Sequence, residues 1–350
     1  MSQSIEALTK SLLHAARQAG ADSADAMAVR GTSVNVDVRG GVLEQAERAE
    51  GVDIGLRVFV GQRSANVSAS DTSDRTIEEM AIRAVAMAKE APEDPYIGLA
   101  DPDQLATDWD VEALELYDPA PEPSPEALQD DAARAEAAGL AVKGVSQVQS
   151  AGAGYGAQQV FMAASNGFEG GYRRTDRGLS CVAIAGSGTG MERDYDGDSR
   201  IFQTDLRSPE DIGTKAGERV LERMGARKPP TGAYPVLFDE RISSALIGHL
   251  LSAISGTAIA RGASWLRDAM GEQVLPKGMS LIEDPFRPRV AGSRPFDGEG
   301  LPTSRRTIVD DGMLQGWTLD LATARKLGLT PTGNAARGTG SNPGPATWNI

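Results

Sequence analysis

The chain has 350 residues, of which 40% are hydrophobic and 5% aromatic, with 40 glycines, one cysteine and a formal net charge of −14. That length accommodates two or more cored domains of a soluble globular protein. The negative balance repels phosphate backbones, no apolar run approaches the ~20 residues of a membrane span, and a lone cysteine excludes an internal disulfide or a multi-cysteine zinc knuckle. Neither nucleic acid nor membrane is an expected partner, and a reducing, cytoplasmic setting is expected.

The opening stretch lacks a basic region followed by an apolar core and a small-residue cleavage site, so it reads as an ordinary helix and not a secretion signal. Ile5, Leu8, Leu12 and Leu13 form its apolar stripe, Gly20 its stop, and His14 lies beside the stripe as a surface or boundary residue. Ala26 to Val29 begins a strand, and Val34, Val36 and Val38 alternate with polar residues before Arg39-Gly40-Gly41 turns the chain. A second strand pair follows, Val52 to Val60 and Ser64 to Ser68, joined by Gly61-Gln62-Arg63. A helix from about Asp74 to Ala91 comes next, with Ser73 as its cap and Ile77, Met80, Ala81, Ala84, Val85 and Ala88 facing the sheet. Helix, antiparallel meander, helix is an α+β pattern, and it defines an N-terminal domain over residues 1–110.

Proline and acidic residues dominate from Ala91 to Pro125 and mark a connecting segment. The central region, 111–230, opens with a helix from Ser124-Pro125 to Ala138. Val145 to Ala153, Gln158 to Ala164, Gly167 to Thr175, Gly178 to Gly186 and Ser199 to Leu206 read as strands. Asp194-Tyr195-Asp196-Gly197-Asp198 reads as an acidic hairpin tip, because no glutamate at the twelfth position and no flanking helices support a calcium loop. Cys181, in a strand-like run, reads as a buried inert thiol. A helix from Ser208-Pro209 and the junction Lys228-Pro229-Pro230-Thr231-Gly232 close the region.

The last part, 231–350, opens with a strand expected to be buried (Val236, Leu237, Phe238). It turns at Asp239 into a helix whose Ile242, Leu246, His249, Leu250 and Ile254 share a face. Further on lie the loop Pro295-Phe296-Asp297-Gly298-Glu299-Gly300, the hairpin Arg305 to Trp317 and the block Ala324 to Asn334. Asp297 and Glu299 admit a paired-carboxylate reading, but carboxylates on a Gly-rich loop without a histidine more often bind backbone amides or an arginine.

These blocks, with the run from Gly51 to Arg63, resemble the TldD/PmbA (TldE) family of cytosolic peptidases. Its catalytic subunits carry an H-E-x-x-x-H zinc motif on the helix that here contains His249. In register, Ser244 replaces the first ligand and Ala245 the general base, and only His249 survives. Five residues at about 100° each separate the motif's ends by roughly 140°, so the helix is expected to bulge or break; Gly248 would favour that, or would permit close helix packing. Members of the family continue through several more strands, so a β-rich C-terminal domain that is incomplete is expected here.

The resemblance implies no catalytic or metal-binding residue in this chain, no cofactor of its own, and zinc in a partner subunit. That partner would be a TldD-type catalytic subunit, and the substrates unfolded peptides. Two alternatives remain open at this point. One is a metallopeptidase in its own right, using His249 with Asp239, Glu240, Asp297 and Glu299; the other is a self-associating, homodimeric peptide-binding scaffold.

Overall fold

The computed structural model describes residues 3–350. The first helix, α1 (Ile5–Gln18), starts where the Ser4 hydroxyl accepts from Ala7 N, and it buries Ile5, Leu8, Leu12 and Ala16. β1 (Ser23–Arg39) and β2 (Val42–Val60) then form a long hairpin. Its two-residue loop needs positive φ at both positions, which Gly40 (61°) and Gly41 (74°) supply without a Cβ penalty. The buried Glu136 carboxylate accepts from both glycine N–H groups, at 2.6 and 2.8 Å, and pins the loop.

β3 (Arg63–Ala69) pairs with β2 only from Ile54 to Val60. α2 (Asp74–Glu90) is capped by Ser73 and buries Ile77, Met80, Ala81, Ala84, Val85 and Ala88. After an irregular connection come α3 (Pro125–Ala141), capped by Ser124, then β4 (Val145–Ala164), β5 (Glu169–Ala185), β6 (Glu192–Arg200) and α4 (Pro209–Glu222). The strands make one antiparallel sheet in the order β3-β2-β1-β4-β5-β6, joining strands from residues 1–110 with strands from 111–230.

Alternation decides what each face does. Ala24, Ala26 and Ala28 pack against α1 and α2, while Val34, Val36 and Val38, on the same face of β1, pack with buried residues of α3 and α4. The opposite face is met at one end by later segments. There, a Cβ on Gly55 of β2 would collide with the Thr339 backbone, and Phe296 stacks edge-on against Phe168 with ring centroids 5.0 Å apart. The other end of that face is open.

Several strands are longer than the sequence pattern suggests. The two runs in 145–164 are one strand, as are the two in 169–185, because Gly152, Gly154, Gly156 and Gly178 replace outward side chains without ending the ladder. Residues 194–198 are not a hairpin tip but the middle of β6. Asp194 and Asp196 are buried there, and Arg241 and Arg207 meet them at 2.8 and 2.6 Å, so ion pairs hold an acidic run extended.

Residues 231–350 hold α5 (Glu240–Ala253), α6 (Gly256–Ala260) and α7 (Leu321–Leu327). Strand is confined to β7 (Leu281–Glu283), β8 (Arg306–Asp310), β9 (Met313–Leu314), β10 (Ala335–Ala336) and β11 (Gly344–Pro345). Fully buried Glu283 organises them: it accepts from Arg306 Nε at 2.5 Å, Asn334 Nδ2 at 2.9 Å and Trp348 N at 2.5 Å. No helix among the described residues is long and apolar enough to cross a membrane.

Candidate functional site

Asp239 caps α5 by accepting from Arg241 N, and Arg241 in turn pairs with Asp194 of β6. The helix therefore begins on the central sheet's edge. Its burial starts late: Leu250 and Ala253 are buried, whereas Ile242 and Leu246 are 55% and 50% exposed. The preceding segment corrects the sequence reading. Val236, Leu237 and Phe238 form no strand and are exposed, Leu237 at 98%, because no neighbouring strand among the described residues pairs with them.

Ser244, Ala245 and His249 are all exposed on α5. The helix runs unbroken through Gly248, so the expected bulge is absent, and a Cβ at Gly248 would meet no atom within 4 Å, so close packing does not explain that glycine either. On a regular helix Ser244 and His249 point about 140° apart. Among the described residues no three His, Cys, Asp or Glu side chains gather as a metal-holding group. A catalytic zinc needs three such ligands and a base beside its water. The serine hydroxyl and alanine methyl at the motif positions do not supply them, so the residues present do not fit the ion.

Asp239 and Glu240 lie at the start of α5, roughly 15 Å along the axis from His249. Asp297 and Glu299 are elsewhere, in the loop beneath the sheet. Asp297 is buried and accepts from Glu299 N at 2.8 Å, Leu301 N at 2.9 Å and Ala335 N at 3.0 Å. Burial lifts its carboxyl to about 6 against the pull of those three amides. Glu299, half-buried, accepts from Leu321 N at 2.9 Å at the start of α7. Burial, reinforced by neighbouring Asp297, pushes its carboxyl up to about 8. The pair joins three segments of backbone.

A pH dependence follows. From the range where an exposed glutamate ionises up to about pH 8, the folded chain keeps a proton on Glu299 that the unfolded chain releases. Stability contributed by this group is therefore lost as pH rises through that window. Glu299→Gln should flatten the decline, read as denaturation midpoints at about pH 5 and about pH 8. An unchanged slope would place the titration elsewhere.

The sequence reading missed a buried cluster beside this loop. Asp25 on β1 accepts from Arg57 on β2, Nε at 3.0 Å and Nη2 at 2.5 Å, and also from Arg337 Nη1. All three side chains are at most 8% exposed. Burial acts to raise the Asp25 carboxyl, but Arg337 and Arg57 outweigh it and hold it below the usual range. One signal was available: Asp25 and Arg57 each interrupt an apolar strand, on the face opposite its core residues.

The open end of the same sheet face forms a groove of about 720 Å³. Asn35, Asp37 and Asp176 lie over Gly154, Gly152 and Gly156, where any Cβ would displace them. Those side chains occupy the space above the glycines, and exposed Tyr195 of β6 lines the same groove. On the opposite face, Cys181 is buried, and desolvation pushes its thiol up to about 12, which leaves it unreactive.

The α+β chain with its one shared antiparallel sheet is matched along most of its length by models of a metallopeptidase-related class of proteins. Models of the PmbA/TldA metallopeptidase match it in three consecutive parts: domain 1 over residues 24–88, the central domain over 118–224 and the C-terminal domain over 231–350. The chain is a member of the PmbA/TldD family.

Metalloprotease PmbA of Escherichia coli O157:H7 is 36% identical over 317 residues, covering 90% of this chain and 69% of that protein. A Haemophilus influenzae PmbA homologue is 34% identical over 91% of this chain and 70% of its own length. A Bacteroides thetaiotaomicron structure named for modulation of DNA gyrase superposes with a TM-score of 0.86 at 26% identity, covering 93% of this chain and 74% of that one. TldE of Thermococcus kodakarensis gives 0.78 at 19% identity, over 98% and 76%, a likeness of fold alone.

Proposed function

We propose that this chain is the non-catalytic subunit of a cytoplasmic TldD/TldE-type zinc protease. The observation that carries the reading is the donor set on α5: Ser244 and Ala245 stand where a ligand and a base are needed, and the surviving His249 belongs to no group of three metal-holding side chains among the described residues. Zinc, base and activated water belong to a TldD-type partner in this reading. This chain contributes a wall of the peptide cavity. The groove suits that role, since an extended, unfolded peptide lying along the open sheet face would meet Asn35, Asp37 and Asp176 as polar partners.

The purified chain should hold zinc far below one ion per chain and cleave no peptide in a chelator-sensitive manner. Adding an H-E-x-x-x-H subunit should restore cleavage together with a mixed complex in solution. Chelator-sensitive turnover by the isolated chain that disappears in His249→Ala would overturn the proposal.

A further inference from the structure

A pocket of about 310 Å³ lies where residues 108–114 of the irregular connection meet two loops of the last part of the chain. Trp109, Phe286, Pro295 and Pro302 form its apolar walls, and exposed Asp108 and Asp110 complete the lining. The walls are held by contacts of their own. Trp109 packs edge-on against Phe296, ring centroids 5.1 Å apart, and Asp110 Oδ1 accepts from Ala113 N at 2.9 Å. Phe286 N donates to Asp284 Oδ1 at 3.0 Å, and Thr303 Oγ1 to the Arg294 carbonyl at 2.9 Å. A site fixed in this way spares a ligand the cost of ordering it.

Its composition selects the occupant. Aromatic faces attract a cation, and flat apolar walls accept the aliphatic stem that carries one. The two carboxylates point to the same charge, since no basic side chain lines the pocket. Arg289, which donates its N–H to the Leu114 carbonyl, is committed to Glu115 and Asp205. A guanidinium suits the pocket better than an ammonium, because its plane stacks on a ring while its edge donates to a carboxylate.

We infer that this pocket takes an arginine side chain of an unfolded peptide. The inference rests on the peptide-binding role proposed above and adds a side-chain preference to it. Phe296, behind Trp109, also packs against Tyr172 of β5 with centroids 5.8 Å apart, and Asp176 on that strand lines the sheet groove. Pocket and groove are therefore within roughly 30 Å, the reach of about nine extended residues.

The test titrates the purified full chain into a fluorescently labelled five-residue peptide of serine and glycine with a central arginine, read by anisotropy. It should bind about fivefold tighter than its norleucine counterpart, with the difference shrinking as salt is added. Phe286→Ala, and separately the pair Asp108→Asn and Asp110→Asn, should each remove most of that preference; asparagine at 110 keeps an oxygen for Ala113 N, so the turn survives. No binding, equal binding of the two peptides, or a preference that survives these variants overturns the inference. So does a preference lost instead with Asp37→Asn and Asp176→Asn in the sheet groove. The subunit role fails separately, in cleavage and mixed-complex formation, neither of which this titration uses.

Discussion

Asp25→Ala is expected to lower folding stability by about 3–5 kcal/mol, the range for removing one partner of a buried ion pair. The reason is what it leaves behind. Arg57 and Arg337 would remain as two buried cations with their shared carboxylate gone. Arg337→Met should cost less than half as much, because Asp25 keeps Arg57 and because Arg337 Nε and Nη2 already have no acceptor among the described residues. Urea denaturation of the two variants tests the ordering, and equal losses would contradict it.

The location of the cluster adds a second readout. Asp25 is the point where β1 holds the segment around Arg337, so its loss should raise hydrogen exchange around residues 335–341 before the sheet itself opens. The carboxyl is held below the usual range, so its contribution is complete at neutral pH and fades as pH falls through the folded value. This loss with falling pH is opposite in sign to the loss with rising pH from Glu299. Maximal stability should lie between the two.

Local signals made the helices legible. Ser73 and Ser124, read as helix starts, cap α2 and α3, and the apolar stripe read for α2 is the one it buries. Strand lengths were less legible, because glycines on an open face erase the alternation that marks a half-buried strand. Val236 to Phe238 failed for a different reason. Apolar composition states what a segment can bury, but burial requires a neighbour, and that is a tertiary fact. Ser244, Ala245 and His249 could be placed on one helix from sequence, whereas the Asp25 cluster joins positions 312 residues apart, and the charges interrupting β1 and β2 mark Asp25 and Arg57 without pointing to Arg337.

The crossing of α3 and α4 makes a second large effect predictable, and it turns on the sign of one methyl group. A Cβ on Gly213 would collide with the Ala135 carbonyl, and one on Gly217 with Val142, so the helices touch through backbone. In an isolated helix Gly→Ala is favourable by about 1 kcal/mol. At Gly213 the obstacle is backbone, which cannot rotate away, so Gly213→Ala should instead destabilise by about 1–3 kcal/mol as the helices are forced apart. Gly248→Ala in α5 is the matched control: nothing lies within 4 Å of the added carbon, so the helix preference acts alone and the variant should gain stability. Denaturation midpoints moving in opposite directions would establish that packing, not helix propensity, keeps glycine at 213; a stabilised Gly213→Ala would refute it.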